Sequence, residues 1–143
     1  MTEETVFTEP FIVPLQDVDA AGVVFFAHAF RYAHETFERF MAHIGHPLPE
    51  LLGAGEYLLP LVHAEAEYQK PLRHGDRFEV QLWISLLGEH SFHVSCRIVD
   101  AAGEECVTLT SIHVLTERAD GQPATLPPPL REALAIYTPP VGG

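Results

Sequence analysis

From Phe30 onward the apolar positions Phe30, Ala33, Phe37, Phe40, Met41 and Ile44 recur three and four residues apart. At about 100° per residue they share one stripe, which predicts an amphipathic helix beginning near His28 with one buried face. Gly45 and Pro47 stop it, and Glu35 is placed to pair with Arg39 on its wetter side. Beyond a short link through Leu51 to Gly55 the period changes. Tyr57 to Gln69, Arg77 to Leu87, Ser91 to Asp100 and Cys106 to Glu117 read as strands, the second setting Phe78, Val80, Leu82, Ile84 and Leu86 on one face. Pro71 with His74-Gly75-Asp76, then Gly88-Glu89, then Ala101-Ala102-Gly103 supply the turns, and connections this short make neighbours antiparallel. With an initial strand around Val6 to Leu15, the order is strand, long helix, four strands. That is an α+β arrangement, a curled antiparallel sheet wrapped around one helix. The segment from Gln122, with Pro123, Pro127, Pro128 and Pro129 and a helical turn or two near Leu130 to Ile136, reads as a partly mobile surface tail.

Size and charge narrow the function. A chain of 143 residues, 47% of them hydrophobic, is one domain spanning 1–143, with its core at about 6–117 and the proline-rich tail at 122–143. Twenty acids against eight bases give a net charge of −12, which repels nucleic-acid phosphates and anionic membrane surfaces, so neither is expected as a partner. No charged-then-apolar leader opens the chain and no apolar run approaches the length that spans a bilayer, so a cytoplasmic protein is expected. Cys96 and Cys106 flank the Ala101-Ala102-Gly103 hairpin and read as reduced core residues on neighbouring strands. His43 with His46 and His90 with His93 have short spacing. However, His34-Glu35-Thr36-Phe37-Glu38 ends in Glu where a zincin helix needs its second histidine, so no metal and no other cofactor is expected.

The run Gln16-Asp17-Val18-Asp19-Ala20-Ala21-Gly22-Val23-Val24-Phe25-Phe26 sets two carboxylates and a glycine just ahead of the helix. The unpaired amides of a helix start can hold and polarise a carbonyl oxygen, and Asp19 beside them could attack the carbonyl carbon or activate water against it. The alternative is that Asp17 or Asp19 caps the helix or makes an Asx-turn. Gly22 removes a side chain where something must come close to the backbone, and Val23 to Ala27 is too apolar for a solvated loop.

The run Asp17 to Phe26, followed by a helix carrying His34-Glu35, resembles the signature of the hot-dog acyl-CoA thioesterases of the 4-hydroxybenzoyl-CoA thioesterase type. Phe26-Ala27-His28, His34-Glu35 and Pro60-Leu61-Val62-His63-Ala64 are most similar to the 1,4-dihydroxy-2-naphthoyl-CoA hydrolases of quinone biosynthesis, the likeness running from about Phe11 to Glu117. The resemblance implies a five-stranded antiparallel sheet around a central helix, with active sites at a dimer interface and dimers commonly paired into tetramers. It implies Asp19 as the catalytic carboxylate, the Phe26 N–H as the donor to the thioester carbonyl, and an acyl-CoA as substrate. A thiolate leaves readily, so no strong general acid is obligatory. His34 stands where relatives contact the aromatic acyl group. The stripe places it semi-buried beside Phe30 and Phe37, a satisfied core histidine being the alternative. His63 is a binding candidate or an inward histidine on a backbone carbonyl. Bases near the strand beginning Ser91-Phe92 hold the coenzyme A phosphates in relatives. Here Gly88-Glu89-His90 precedes it, leaving His90 and Ser91 as substrate-binding candidates with Lys70, Arg73, His74 and Arg97 nearby. The expected reaction is hydrolysis of an aromatic acyl-CoA thioester. Alternatives are a broad-specificity or 4-hydroxybenzoyl-CoA-type thioesterase, or a non-catalytic acyl-CoA binding module.

Overall fold

The structure is a computed structural model and describes residues 3–140. Strand β1 (Phe7–Ile12) leads through a 3-10 turn at Leu15–Asp17 to helix α1 (Ala27–His43), and a short helix α2 (Leu48–Gly53) follows. Then come β2 (Tyr57–Leu58), β3 (Leu61–Tyr68), β4 (Arg77–Leu87), β5 (Ser91–Asp100), β6 (Glu105–Val114), β7 (Thr116–Glu117) and helix α3 (Pro128–Ile136). Five strands form one antiparallel sheet in the order β1-β4-β5-β6-β3, while β2 and β7 make a two-stranded ribbon. The predicted strands Tyr57 to Gln69 and Cys106 to Glu117 are each split, the former at Pro60, which has no N–H to give the ladder, and the latter at Leu115. The hot-dog arrangement, a sheet curled around α1, is the one observed.

The core is the inner face of the sheet against α1. Phe78, Val80, Leu82 and Ile84 of β4, Phe92, Val94, Cys96 and Ile98 of β5 and Leu109 of β6 are buried on it. Leu86 departs from that face and is exposed, because the β4–β5 register shifts between Ile84 and Leu86 and the bulge turns the following side chain over. The buried side of α1 is Ala29, Tyr32, Thr36, Phe37, Phe40 and Met41, which rotates the stripe away from Phe30, half-exposed at the helix start. Two hydroxyls can be buried there because each has a partner: Thr36 Oγ1 donates to the Tyr32 carbonyl at 2.8 Å, and the Tyr32 hydroxyl donates to Asp17. Cys96 and Cys106 lie on adjacent strands, buried and unbridged.

The C-terminal segment is no loose tail. Leu126, Leu130 and Leu134 are fully buried, the Tyr137 carbonyl accepts the Ile84 N–H at 2.8 Å at the bulge, and Arg131 donates to the Gly88 carbonyl. Pro127 and Pro128 open α3, where a missing N–H costs nothing, and its leucine spacing seals one end of the barrel-like sheet. The last residues of the predicted tail, 141–143, lie outside the described residues. No helix among the described residues is long and apolar enough to cross a membrane.

Candidate functional site

The segment before α1 is a small hairpin. Val18 bridges Val24, the Asp19 N–H donates to the Val23 carbonyl at 2.8 Å, and the Gly22 N–H donates to the Asp19 carbonyl at 2.9 Å. Gly22 sits at φ +81° with open space where a Cβ would be. The left-handed turn alone therefore requires glycine here, and no atom of the chain itself approaches the place of its missing side chain. Val24 donates to the Leu72 carbonyl and Val23 bridges Arg73, so the hairpin is stitched to the turn before β4.

The two carboxylates part company. Asp17 is buried, 2% exposed, and receives the Arg31 guanidinium and the Tyr32 hydroxyl from the first turns of α1, while its own carbonyl takes the Phe25 N–H at 2.9 Å. It is the structural acid that locks hairpin to helix. Burial, reinforced by the hydrogen bond to Asp17, holds the Tyr32 phenol protonated far above its ordinary range. Asp19 is exposed, with Oδ1 on the Ala21 N–H at 2.8 Å and the Val23 N–H at 3.4 Å, the Asx-turn geometry named above as the alternative. Oδ2 of Asp19 has no partner among the described residues.

Phe26, the residue that precedes α1, already has helical backbone angles, φ −53° and ψ −32°. The amides of Phe26 and Ala27 meet no acceptor among the described residues, so two consecutive N–H donors are available at a helix start. The peptides bearing them are fixed from the carbonyl side. The Phe25 carbonyl accepts the His28 N–H at 2.9 Å, and the Phe26 carbonyl accepts the Tyr68 hydroxyl from β3 at 2.6 Å.

The binding candidates lie elsewhere. His34, expected to be semi-buried, has a side chain 60% exposed and pairs with Glu38 at 3.2 Å, because the buried stripe is turned toward Tyr32 and Thr36. It still lines a cleft of about 960 Å³ between α1, α2 and the start of β3, whose walls include Phe37, Leu48, Leu52, Leu59, Leu61 and His113. Eight residues of helix, about 12 Å, separate Phe26 from His34. His63 is exposed on β3 with Nε2 3.8 Å from Glu65, and is neither an inward histidine nor part of that cleft. Ser91 and His90 sit at the β4–β5 turn, held by Gly88 N–H to Ser91 carbonyl at 2.8 Å and Leu115 N–H to His90 carbonyl at 2.8 Å, with His90 Nδ1 buried and unpartnered. That turn and the Asp19 hairpin lie at opposite ends of the sheet, roughly 33 Å apart along a ten-residue strand. Glu35 meets Arg39 at 3.8 Å, as its spacing predicts. Lys70 is committed to Asp100 and Glu104, both at 2.7 Å, and Arg97 to Gln81, whereas Arg73 and Arg77 line a cavity of about 490 Å³ beside the hairpin. The described residues hold no cluster of three metal-ligating side chains.

One part of the cleft escaped sequence reasoning. His113 on β6 is 5% exposed, stacked on Phe37 at 4.5 Å and Phe92 at 5.6 Å, with Nε2 2.9 Å from Ser111 Oγ. Burial, with His34 nearby, pushes its imidazole down to about 4, so it is neutral at ordinary pH. Its only signal in the sequence is a serine and a histidine two apart on one strand face.

Residues 13–134 match the family described as Thioesterase-like superfamily. A 1,4-dihydroxy-2-naphthoyl-CoA hydrolase of Synechococcus elongatus is 36% identical over 126 residues, covering 87% of this chain and 92% of that protein. One from Picosynechococcus sp. is 34% identical over 121 residues, covering 81% and 83%. The crystal structure of a 1,4-dihydroxy-2-naphthoyl-CoA thioesterase from Synechocystis superposes with a TM-score of 0.86 at 30% identity, covering 91% of this chain and 96% of that one.

Proposed function

Because the chain belongs to the thioesterase-like superfamily, we propose that it hydrolyses an aromatic acyl-CoA thioester to the free acid and coenzyme A, with 1,4-dihydroxy-2-naphthoyl-CoA, the substrate its relatives name, as the acyl donor of a menaquinone or phylloquinone pathway. The observation that carries the assignment of roles is the pair of unclaimed amides at Phe26 and Ala27 directly after a hairpin presenting Asp19. The thioester oxygen lies on the Phe26 N–H. The Asp19 carboxylate then either attacks the carbonyl carbon, expelling the thiolate and leaving an anhydride that water cleaves, or takes a proton from water as the water attacks. Both routes consume one water and release acid and thiol. An amide donor of this kind is worth roughly 2.7 to 4 kcal/mol on the barrier in comparable sites. Gly22 supplies the turn that sets Asp19 opposite Val23.

The site is completed by a second copy of the chain. Edge strand β1 carries Pro10, a residue that blocks further pairing, but the opposite edge, β3, has no proline and leaves Leu61, Val62 and Tyr68 48 to 57% exposed. Isologous antiparallel pairing of β3 about Ala64 and Glu65 would set the Leu61 end, with His34, His63 and the β4–β5 turn bearing His90 and Ser91, against the Phe26 end of the partner subunit. That brings the cleft for the acyl group to the carboxylate and amide that single chains hold at the other end. A homodimer, paired further into a tetramer, is the assembly we assign. A cytoplasmic location agrees with two buried, unbridged cysteines.

The test is Asp19→Asn. In a hydrolase of this type the variant binds aryl-CoA with parental affinity and loses turnover, and retention of the parental rate would remove Asp19 from the mechanism. A binding module would show neither activity in the parent nor an effect of the substitution.

A further inference from the structure

Buried His113 and its half-buried partner Ser111 have no place in the chemistry above, yet they border two cavities with shared walls. His113 lines both the cleft of about 960 Å³ and a smaller pocket of about 60 Å³, and Ser111 lines the smaller one. Both cavities also share His34, Phe37 and Leu61. The rest of the cleft has an apolar wall of Ala42, Leu48, Leu52 and Leu59, suited to a flat ring, with Glu35, Glu38 and Arg39 also lining it. A neutral imidazole packed in a three-ring cluster with Phe37 and Phe92 is an expensive group to bury for packing alone, since phenylalanine or leucine would fill the same space without a polar atom to satisfy. One ring nitrogen is satisfied by Ser111, at 2.9 Å. The other, Nδ1, has no hydrogen-bond partner among the described residues.

We propose that His113 and Ser111 recognise a hydroxyl on the aromatic acyl group, making the protein selective for hydroxyaryl-CoA thioesters over their unsubstituted counterparts. The inference rests on the thioesterase reading and deepens it. A neutral imidazole hydrogen-bonded to a hydroxyl presents one donor and one acceptor, and the pair can reverse its proton order. It can therefore satisfy a phenolic O–H in either sense, where a carboxylate offers acceptors alone. A bare ring in the same cleft would leave the pair desolvated and unpaired. Sites built to bond a substrate hydroxyl reject the analogue lacking it for that reason, far more strongly than an apolar pocket rejects a missing methylene. His34, at the exposed rim and bound to Glu38, is free to meet water and need not touch the ring.

The experiment compares kcat/KM for 1-hydroxy-2-naphthoyl-CoA against 2-naphthoyl-CoA, and for 4-hydroxybenzoyl-CoA against benzoyl-CoA, in the parent protein and in His113→Phe and Ser111→Ala. His113→Phe keeps the stack on Phe37 and Phe92, and Ser111→Ala is the milder change should the first fail to fold, which a thermal melt reports. Each hydroxyl also alters the intrinsic reactivity of its thioester, but that effect cancels when the ratio is compared between variants. The expected result is that kcat/KM on at least one hydroxylated ester falls roughly ten- to a hundredfold more than on its unsubstituted partner. Equal losses on both esters would assign the pair to structure, and no loss on either ester would place the hydroxyl elsewhere. Either outcome overturns this inference while leaving the thioesterase intact. A parent protein inactive on all four esters overturns both.

Discussion

Lowering the pH from 7 to 5 removes about 2 kcal/mol of folding free energy through His113 alone. The imidazole is 5% exposed, packed against two phenylalanine rings and near His34, and its pKa drops from the ordinary value of 6.5 to about 4. Between those values the unfolded chain binds a proton that the folded chain refuses. The unfolded state is therefore favoured as pH falls, and stability rises with pH across the window and is flat above it. At 1.36 kcal/mol per pH unit, the full interval bounds the loss at about 3 kcal/mol, of which about 2 is reached by pH 5. Urea unfolding at fixed protein concentration, at half-unit steps from pH 7.5 to 5, measures the slope, and the fixed concentration keeps any subunit association constant. Asp100, whose carboxyl Lys70 holds below the usual range, titrates beneath this window and does not enter. His113→Phe keeps the stacked ring and removes the titration, so its curve should be flatter than the parent's by that 2 kcal/mol, whatever its offset. Parallel curves for parent and variant would refute the claim that the histidine is buried uncharged.

Three further outcomes follow from the geometry. Leu134→Ala, at a fully buried position of α3, should cost about 2 to 5 kcal/mol in chemical denaturation, whereas a loosely attached tail would give nearly nothing. Tyr68→Phe removes the hydroxyl on the Phe26 carbonyl and should lower kcat several-fold with KM little changed in steady-state assays, because the helix-start amides lose a support but the acyl cleft does not. Ala64→Pro in the exposed edge strand β3 should yield a folded monomer by light scattering with its thioesterase activity lost, and a dimer of parental activity would place the subunit contact on another face.

What the chain discloses in advance is set by how local the cause is. The 3-to-4 spacing along α1 and the alternation along β4 are local, and both elements stand where periodicity puts them, to within a residue or so at the strand ends. The break at Pro60 has a local cause, a residue that cannot donate in a ladder, although the reading of Tyr57 to Gln69 as one strand ran through it; the break at Leu115 has no such signal. The burial of α3 was not, because a proline-rich stretch looks like a tail until the open end of the sheet that its leucines seal is in view. The rotation of the helical stripe was hidden for a related reason. Tyr32 and Thr36 look polar, and only their partners, Asp17 and a backbone carbonyl, make them interior residues.

The two acids of the hairpin show the same limit at the site itself. Asp17 and Asp19 stand two residues apart in an identical local setting, and either could cap, turn or react. What separates them is tertiary. Arg31 and Tyr32 consume one carboxylate in a buried cluster, which fixes the hairpin against the helix, and the other is left at the surface with an oxygen unclaimed, in the hairpin that leads directly to two unclaimed amides. A carboxylate already neutralised by a guanidinium and a phenol is a poor nucleophile and a poor base, since attack would break both bonds inside a dry interior. The proposed mechanism therefore gives reactivity to Asp19, and to Asp17 the task of holding still the frame on which Asp19 and the Phe26 amide keep their relative positions. If that division is right, Asp17→Asn should lower stability and kcat together, while Asp19→Asn should leave the melting temperature close to the parent's and abolish turnover.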